Sequence, residues 1–168
     1  GLFYSAITDF LGFAINEGEY KVMGLAAFGI RDSNIYKKIN NLIFWDNHEK
    51  RIKMDLNYFE YHKNIYNSFN TKLEDLLGPS RNPLEKLDVN NIDFQRYANI
   101  AYAAQEVLTK ILKELFIHAH DLTGCSEFLF SGGVALNSAS LRYIASLSFI
   151  KKIYIPPSPG DCGAAIGA

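Results

Sequence analysis

The chain has 168 residues, of which 48% are hydrophobic and 21% charged, and 17 Lys+Arg against 18 Asp+Glu leave a formal charge of −1. That balance excludes a globally disordered chain and a domain that holds nucleic acid through its net field. No apolar run approaches the ~18 residues a membrane-spanning helix needs, and a chain this long buries about 70% of its unfolded surface without help from disulfides.

Residues 3–11 place Phe3, Ile7, Phe10 and Leu11 on one helical face, and Gly12 stands where a helix would stop. Asn16-Glu17-Gly18-Glu19 reads as a polar turn, followed by an apolar segment over residues 20–28 closed by Gly29. Residues 30–90 differ in composition, being rich in Asn, Lys, Ile and Tyr without one clean period. Within them Arg51 to Leu56 alternates as a half-buried strand, Asp46-Asn47-His48-Glu49 looks like a hairpin turn, and Leu42 to Trp45 is the partner strand or a helix end. Residues 57–77 predict one or two short helices, and Gly78-Pro79-Ser80-Arg81-Asn82-Pro83 a loop.

The strongest periodicity spans residues 93–122, from Tyr97 through Ile100, Ala104, Val107, Ile111 and Leu115 to Phe116. Asn91 or Asp93 can cap this helix and Gly124 can end it. Phe128-Leu129-Phe130, stopped by Gly132-Gly133, and Ile153-Tyr154-Ile155, stopped by Pro156-Pro157, predict buried strands. Residues 134–147 predict a helix between them, and Cys162 to Ala168 a small-residue helix after them. The order α-β-α-β-α implies an α/β fold with a parallel sheet covered on its faces.

Ligands of open α/β sheets gather at the carboxyl ends of strands, beside the next helix. Two such points exist. At Ser131-Gly132-Gly133-Val134-Ala135-Leu136-Asn137 the glycines let a ligand approach the backbone, and Asn137 can both donate and accept. The plain alternative is a tight strand-to-helix turn. At Ser158-Pro159-Gly160-Asp161, Asp161 can cap the following helix or ligate a hard cation. His118 and His120 are two apart on a helix and so cannot share a metal, and no HxxxH pair occurs. Cys125 and Cys162 are far apart without CxxC spacing, which offers neither a disulfide scaffold nor a zinc knuckle and points to a reducing, cytoplasmic setting. The start at Gly1 has no initiator Met and no basic signal-peptide region, and the end reads as mid-helix, so a piece of a larger protein is expected.

Taken together, several segments resemble one family. Gly1-Leu2-Phe3-Tyr4-Ser5-Ala6-Ile7-Thr8-Asp9-Phe10-Leu11-Gly12-Phe13, Gly18-Glu19-Tyr20-Lys21-Val22-Met23-Gly24-Leu25-Ala26-Ala27-Phe28-Gly29, Gly78-Pro79-Ser80-Arg81, Gly132-Gly133-Val134-Ala135-Leu136-Asn137 and residues 157–168 look, in order, like the nodulation-protein-U type carbamoyltransferases. Similarity is weak only over residues 30–75.

The resemblance implies a single partial domain over 1–168, the second lobe of an actin-like ATPase domain similar to the threonylcarbamoyl-transfer proteins. Such a lobe is ribonuclease-H-like and helix-rich with a short, mainly parallel sheet; residues 30–90 would be a helix and hairpin insertion within it. It also implies that Gly132, Gly133 and Asn137 face a nucleotide, that Gly18 with Lys21 lies at its ribose or phosphate side, and that Asp161 ligates a divalent metal, iron among the candidates. The family's second Asn is Leu141 here, and the ribose-contacting Asp of the threonylcarbamoyl relatives is Ser5. The family's metal-binding histidines would lie upstream of Gly1.

The implied activity is ATP-dependent carbamoyl transfer. Carbamoyl phosphate and ATP give carbamoyl-adenylate, whose carbamoyl group passes to a hydroxyl of a small metabolite. The partners would be those substrates, with the first lobe and the adenylate-forming domain of the same protein, and neither nucleic acid nor membrane. The chain by itself would be inactive and, with an open sheet edge, would self-associate. A non-catalytic nucleotide-binding or scaffold lobe, or another phosphotransferase of the actin superfamily, are the alternatives.

Overall fold

The computed structural model describes residues 1–63 and 67–168. The short helices expected over residues 57–77 include 64–66, which lie outside the described residues. The chain divides into two compact units, Leu2–Leu108, and Thr109–Ala168 with Gly1. The architecture is α/β and helix-rich, consistent with a partial ribonuclease-H-like lobe, and carries one antiparallel and one parallel strand pair.

In the first unit, helix α1 (Leu2–Phe10) buries Phe3, Ile7 and Phe10, the face its spacing predicts. The apolar segment after the polar turn is helix α2 (Glu19–Ala26), which buries Val22, Leu25 and Ala26. Helix α3 (Ser33–Leu42) falls in the region expected as a helix and hairpin insertion, although its own bounds were not foreseen. Asp32 starts it, its carboxylate accepting from the backbone N–H groups of Asn34 (2.8 Å) and Ile35 (3.1 Å), and only Ile39 and Leu42 are buried along it. The expected hairpin follows. Strands β1 (Ile43–Asp46) and β2 (Arg51–Met54) pair antiparallel from Ile43↔Met54 to Asp46↔Arg51. The Asp46 carboxylate closes the turn by accepting from the backbone N–H groups of His48 (2.8 Å) and Glu49 (3.0 Å). Within 57–77, a 3-10 turn spans Leu56–Tyr58, and helix α4 (Thr71–Leu77) is capped by Asn70.

Helix α5 (Phe94–Thr123) is the long predicted helix and contributes to both units. In the first, Tyr97, Ile100, Ala101, Ala104 and Val107 are buried, and the Gln105 side chain accepts from the Tyr4 hydroxyl (2.9 Å). In the second, Phe116 meets Phe128 and Phe130 edge-on at centroid distances of 5.2 and 5.4 Å. These two phenylalanines flank Leu129 on strand β3 (Glu127–Leu129), which pairs parallel with β4 (Lys152–Tyr154) in the register Phe128↔Ile153, Leu129↔Tyr154.

This corrects the expectation of buried strands covered on both faces. Alternation turns Phe128 and Phe130 toward α5, and it leaves Leu129 70% and Tyr154 52% exposed on the other side. A continuous apolar run reads as buried on both faces, but only one face is covered within this unit. The helix expected over 134–147 is a 3-10 turn (Gly133–Leu136) followed by α6 (Ser138–Ala145). A further 3-10 turn (Asp161–Gly163) leads into α7 (Ala164–Gly167). Among the described residues, no helix is long and apolar enough to cross a membrane.

Candidate functional site

In the second unit, the chain leaves β3 and β4 at the same end of the parallel pair, so the two predicted ligand points become neighbours. The Gly132 N–H and the Ser131 hydroxyl both donate to the Pro159 carbonyl oxygen, at 2.7 and 3.0 Å. A Cβ built on Gly160 would lie 4.0 Å from the Gly133 Cα. Gly132-Gly133 and Gly160-Asp161 thus form two lips of one backbone surface.

Gly132 sits at φ +97°, a conformation L side chains rarely adopt. Nothing lies within 4 Å of where a Cβ on Gly132 or Gly133 would be, and both residues are exposed. Backbone conformation thus accounts for Gly132, while crowding accounts for neither glycine, and the two leave open backbone surface.

Asp161 is exposed, and its carboxylate makes no hydrogen bond or ion pair among the described residues. It caps neither the 3-10 turn it begins nor α7. The capping alternative therefore has no hydrogen bond behind it. The free carboxylate fits a hard cation as one oxygen ligand. Among the described residues, no group of three His, Cys, Asp or Glu could hold a metal, so this chain's described part offers a single ligand of a shell.

Asn137 is buried, and its side-chain oxygen caps α6 by accepting from the Ser140 N–H (2.9 Å). The Ser140 hydroxyl is in turn 2.8 Å from that of Thr109 on α5. Asn137 thereby fixes where α6 begins, one turn after the glycine pair. His120 is engaged locally, its Nδ1 2.7 Å from the Cys125 carbonyl oxygen and its ring stacked on Phe149 at 4.6 Å.

Gly18 and Lys21 belong to the first unit. Gly18 is buried at the start of α2, and a Cβ there would come within 2.7 Å of both the Ala14 carbonyl oxygen and the Phe13 Cβ. Packing alone thus accounts for this glycine. Lys21 is exposed, its ammonium 5.9 Å from the Phe13 ring centroid and 5.8 Å from that of Tyr20. Beside them, the Glu19 carboxylate accepts from the Ser5 hydroxyl (2.9 Å) and the Asn16 N–H (3.0 Å), tying the turn to α1. Sequence reasoning passed over Glu19, the first residue of α2, whose acidic side chain at a helix start was the available signal. It also passed over Ser131, whose acceptor lies 28 residues further along the chain.

A family model described as carbamoyltransferase N-terminus matches residues 1–168. An uncharacterized protein of Synechocystis sp. is 34% identical over 169 residues, covering 100% of this chain and 26% of its own length. The nodulation protein NolNO of Sinorhizobium fredii is 25% identical over 173 residues, covering 100% of this chain and 22% of its own. The nodulation protein NolO of Bradyrhizobium diazoefficiens is 27% identical over 169 residues, covering 100% and 27%. The chain therefore spans about a quarter of the length of these relatives. Matched along its whole length, it belongs to the carbamoyltransferase N-terminus family.

Proposed function

We propose that this chain is part of an ATP-dependent O-carbamoyltransferase that moves a carbamoyl group, through carbamoyl-adenylate, onto a hydroxyl of a small metabolite. The observation that carries the reading is the meeting of Gly132-Gly133 with Gly160-Asp161 at the carboxyl ends of two parallel strands, linked at the Pro159 carbonyl. Family membership supports it independently.

In this reading the open backbone of Gly132 and Gly133 takes a face of the adenosine moiety, since no side chain stands in the way. Asp161 supplies one hard oxygen to a divalent metal, which when bound would neutralise phosphate charge. The acceptor hydroxyl oxygen attacks the carbamoyl carbon, a new C–O bond forms, the bond from that carbon to the phosphate oxygen breaks with AMP leaving, and the hydroxyl proton passes to water. Gly18 and Lys21 remain proposed nucleotide contacts, with the exposed Lys21 ammonium the better supported of the two because packing already explains Gly18. Cytoplasmic location also remains a proposal.

The test uses the full-length protein with ATP and carbamoyl phosphate, following AMP release against a panel of hydroxylated acceptors. Acceptor-dependent AMP release is expected, and Gly132→Val, strained at φ +97° and therefore less stable, should weaken binding of a non-hydrolysable ATP analogue under conditions where the variant is folded. No AMP with any acceptor would reject the activity. Unchanged analogue affinity in a folded Gly132→Val variant would remove the glycines from the site.

A further inference from the structure

We propose that Ser131 is a positioning residue that sets the spacing of the two lips, an assignment that rests on reading Gly132-Gly133 as the nucleotide surface. The Pro159 carbonyl oxygen accepts two hydrogen bonds, one from the Gly132 N–H (2.7 Å) and one from the Ser131 hydroxyl (3.0 Å). Both donors come from the segment leaving β3, and the acceptor stands in the segment leaving β4. Pro159 is buried, so its carbonyl has a fixed place, while Ser131, Gly132 and Gly133 are exposed.

Without the hydroxyl, the hydrogen bond left between the lips among the described residues comes from a glycine at φ +97°. Glycine restrains its neighbours poorly, because its own φ and ψ are free to move. The hydroxyl adds a second link one residue earlier, at a residue with a Cβ and ordinary backbone preferences. With both links in place, Gly133 and Gly160-Asp161 keep one separation. With one, the lips can rotate about the Gly132–Pro159 bond. Ser131 touches the site only through Pro159, so its effect is on the shape of the surface.

The experiment compares Ser131→Ala and Ser131→Thr in the full-length protein, with Gly132→Val as the control for the nucleotide reading. Threonine keeps the hydroxyl at an exposed position. Three quantities are read: amide exchange at Gly132, melting temperature, and Kd for a non-hydrolysable ATP analogue. The Ala variant should exchange its Gly132 amide faster, melt at most a few degrees lower, and bind the analogue roughly threefold more weakly, tenfold being the most that one hydrogen bond can account for. The Thr variant should restore all of this. Unchanged analogue affinity in Ser131→Ala overturns the proposal, as does equal weakening in Ala and Thr. If Gly132→Val weakens binding while Ser131→Ala does not, the nucleotide reading stands and the role of Ser131 falls. If neither weakens it, both fall.

Discussion

Arg81 and Gly12 hold each other in place. Arg81 Nη2 donates to the Gly12 carbonyl at 2.6 Å, and Gly12, at φ +69°, passes so near that a Cβ on it would lie 2.7 Å from the Arg81 carbonyl oxygen. The guanidinium also donates to the carbonyls of Leu11 (2.6 Å), Glu85 (2.6 Å) and Asn82 (3.2 Å), and it lies 4.9 Å from the Phe13 ring centroid. Arg81 is only 7% exposed, and burial lowers its pKa from the ordinary value, yet an arginine stays charged. Its acceptors include carbonyls just past α1, where the helix leaves unsatisfied oxygens and the negative end of its dipole. Every hydrogen bond of the cation goes to a backbone carbonyl, and together they pin the loop after Gly78 to the end of α1.

Replacing Arg81 by Met should therefore cost about 2–4 kcal/mol, because several buried carbonyls lose their donor at once. Arg81→Lys keeps the charge but not the planar fork, and should recover only part of that. The readout is hydrogen-exchange protection across α1 and residues 11–13. Protection in the Met variant equal to wild type would show that water replaces the guanidinium without loss.

The hairpin supplies a pH prediction. Asp46 has its pKa lowered from 3.8 to about 2, chiefly by the Lys53 ammonium and then by the Glu49 and His48 N–H groups. A carboxylate with a lowered folded-state pKa adds stability above its unfolded pKa and loses it as pH falls through the folded one. Asp46 should thus support the turn fully above pH 3.8 and stop doing so as pH falls toward 2. A side-chain carboxyl NMR titration checks this directly. Asp46 should show no midpoint near its ordinary value, and Lys53→Met should move the midpoint upward. An ordinary midpoint in the wild-type protein would reject the pairing.

What could be read from the sequence followed from burial on one face. Helices α1 and α5 announce themselves because Phe3, Ile7, Phe10 and then Tyr97 through Phe116 recur at helical spacing and, Leu115 apart, are buried. Helix α3 was legible too, since Ile35, Ile39 and Leu42 stand at helical spacing behind the Asp32 cap, but the Asn- and Lys-rich residues between them masked the period. The strands β3 and β4 were found, but not their exposure: an apolar triplet does not say that Leu129 and Tyr154 face outward. Of the site, the adjacency of Gly132-Gly133 and Gly160-Asp161 was foreseeable from the rule on strand ends. The bonds that hold it were not, nor was the Arg81 clamp, whose acceptors at Leu11 and Gly12 lie 70 and 69 residues away. Gly18 shows the converse, a motif position whose glycine is required by the carbonyl of Ala14.

Asn137 separates two roles in one side chain. Its oxygen caps α6, so Asn137→Ala should destabilise by about 0.5–2 kcal/mol. Asn137→Ser keeps a capping oxygen but loses the buried amide, and should cost less stability than Ala without matching the wild type. If Asn137 also contacts the nucleotide, the Ser variant of the full-length protein should bind an ATP analogue more weakly at a temperature where it is fully folded. Equal affinity would confine Asn137 to the cap.

Asp161 gives the sharpest test, because the two roles open to it at the sequence level differ in what Asn would preserve. Were it a cap, Asn would serve about as well, and Asp161→Asn would be nearly silent. The carboxylate, however, is exposed, caps neither neighbouring turn, and has no partner among the described residues. As a metal ligand it would contribute a negative charge that Asn lacks. In the full-length protein Asp161→Asn should therefore keep its melting temperature while lowering bound metal, measured by elemental analysis, and carbamoyl transfer by tenfold or more, on the order of 1.4 kcal/mol. Asp161→Glu, one methylene longer at an exposed position, should retain part of the metal. Wild-type metal content and transfer in the Asn variant would leave this carboxylate with no role at the site.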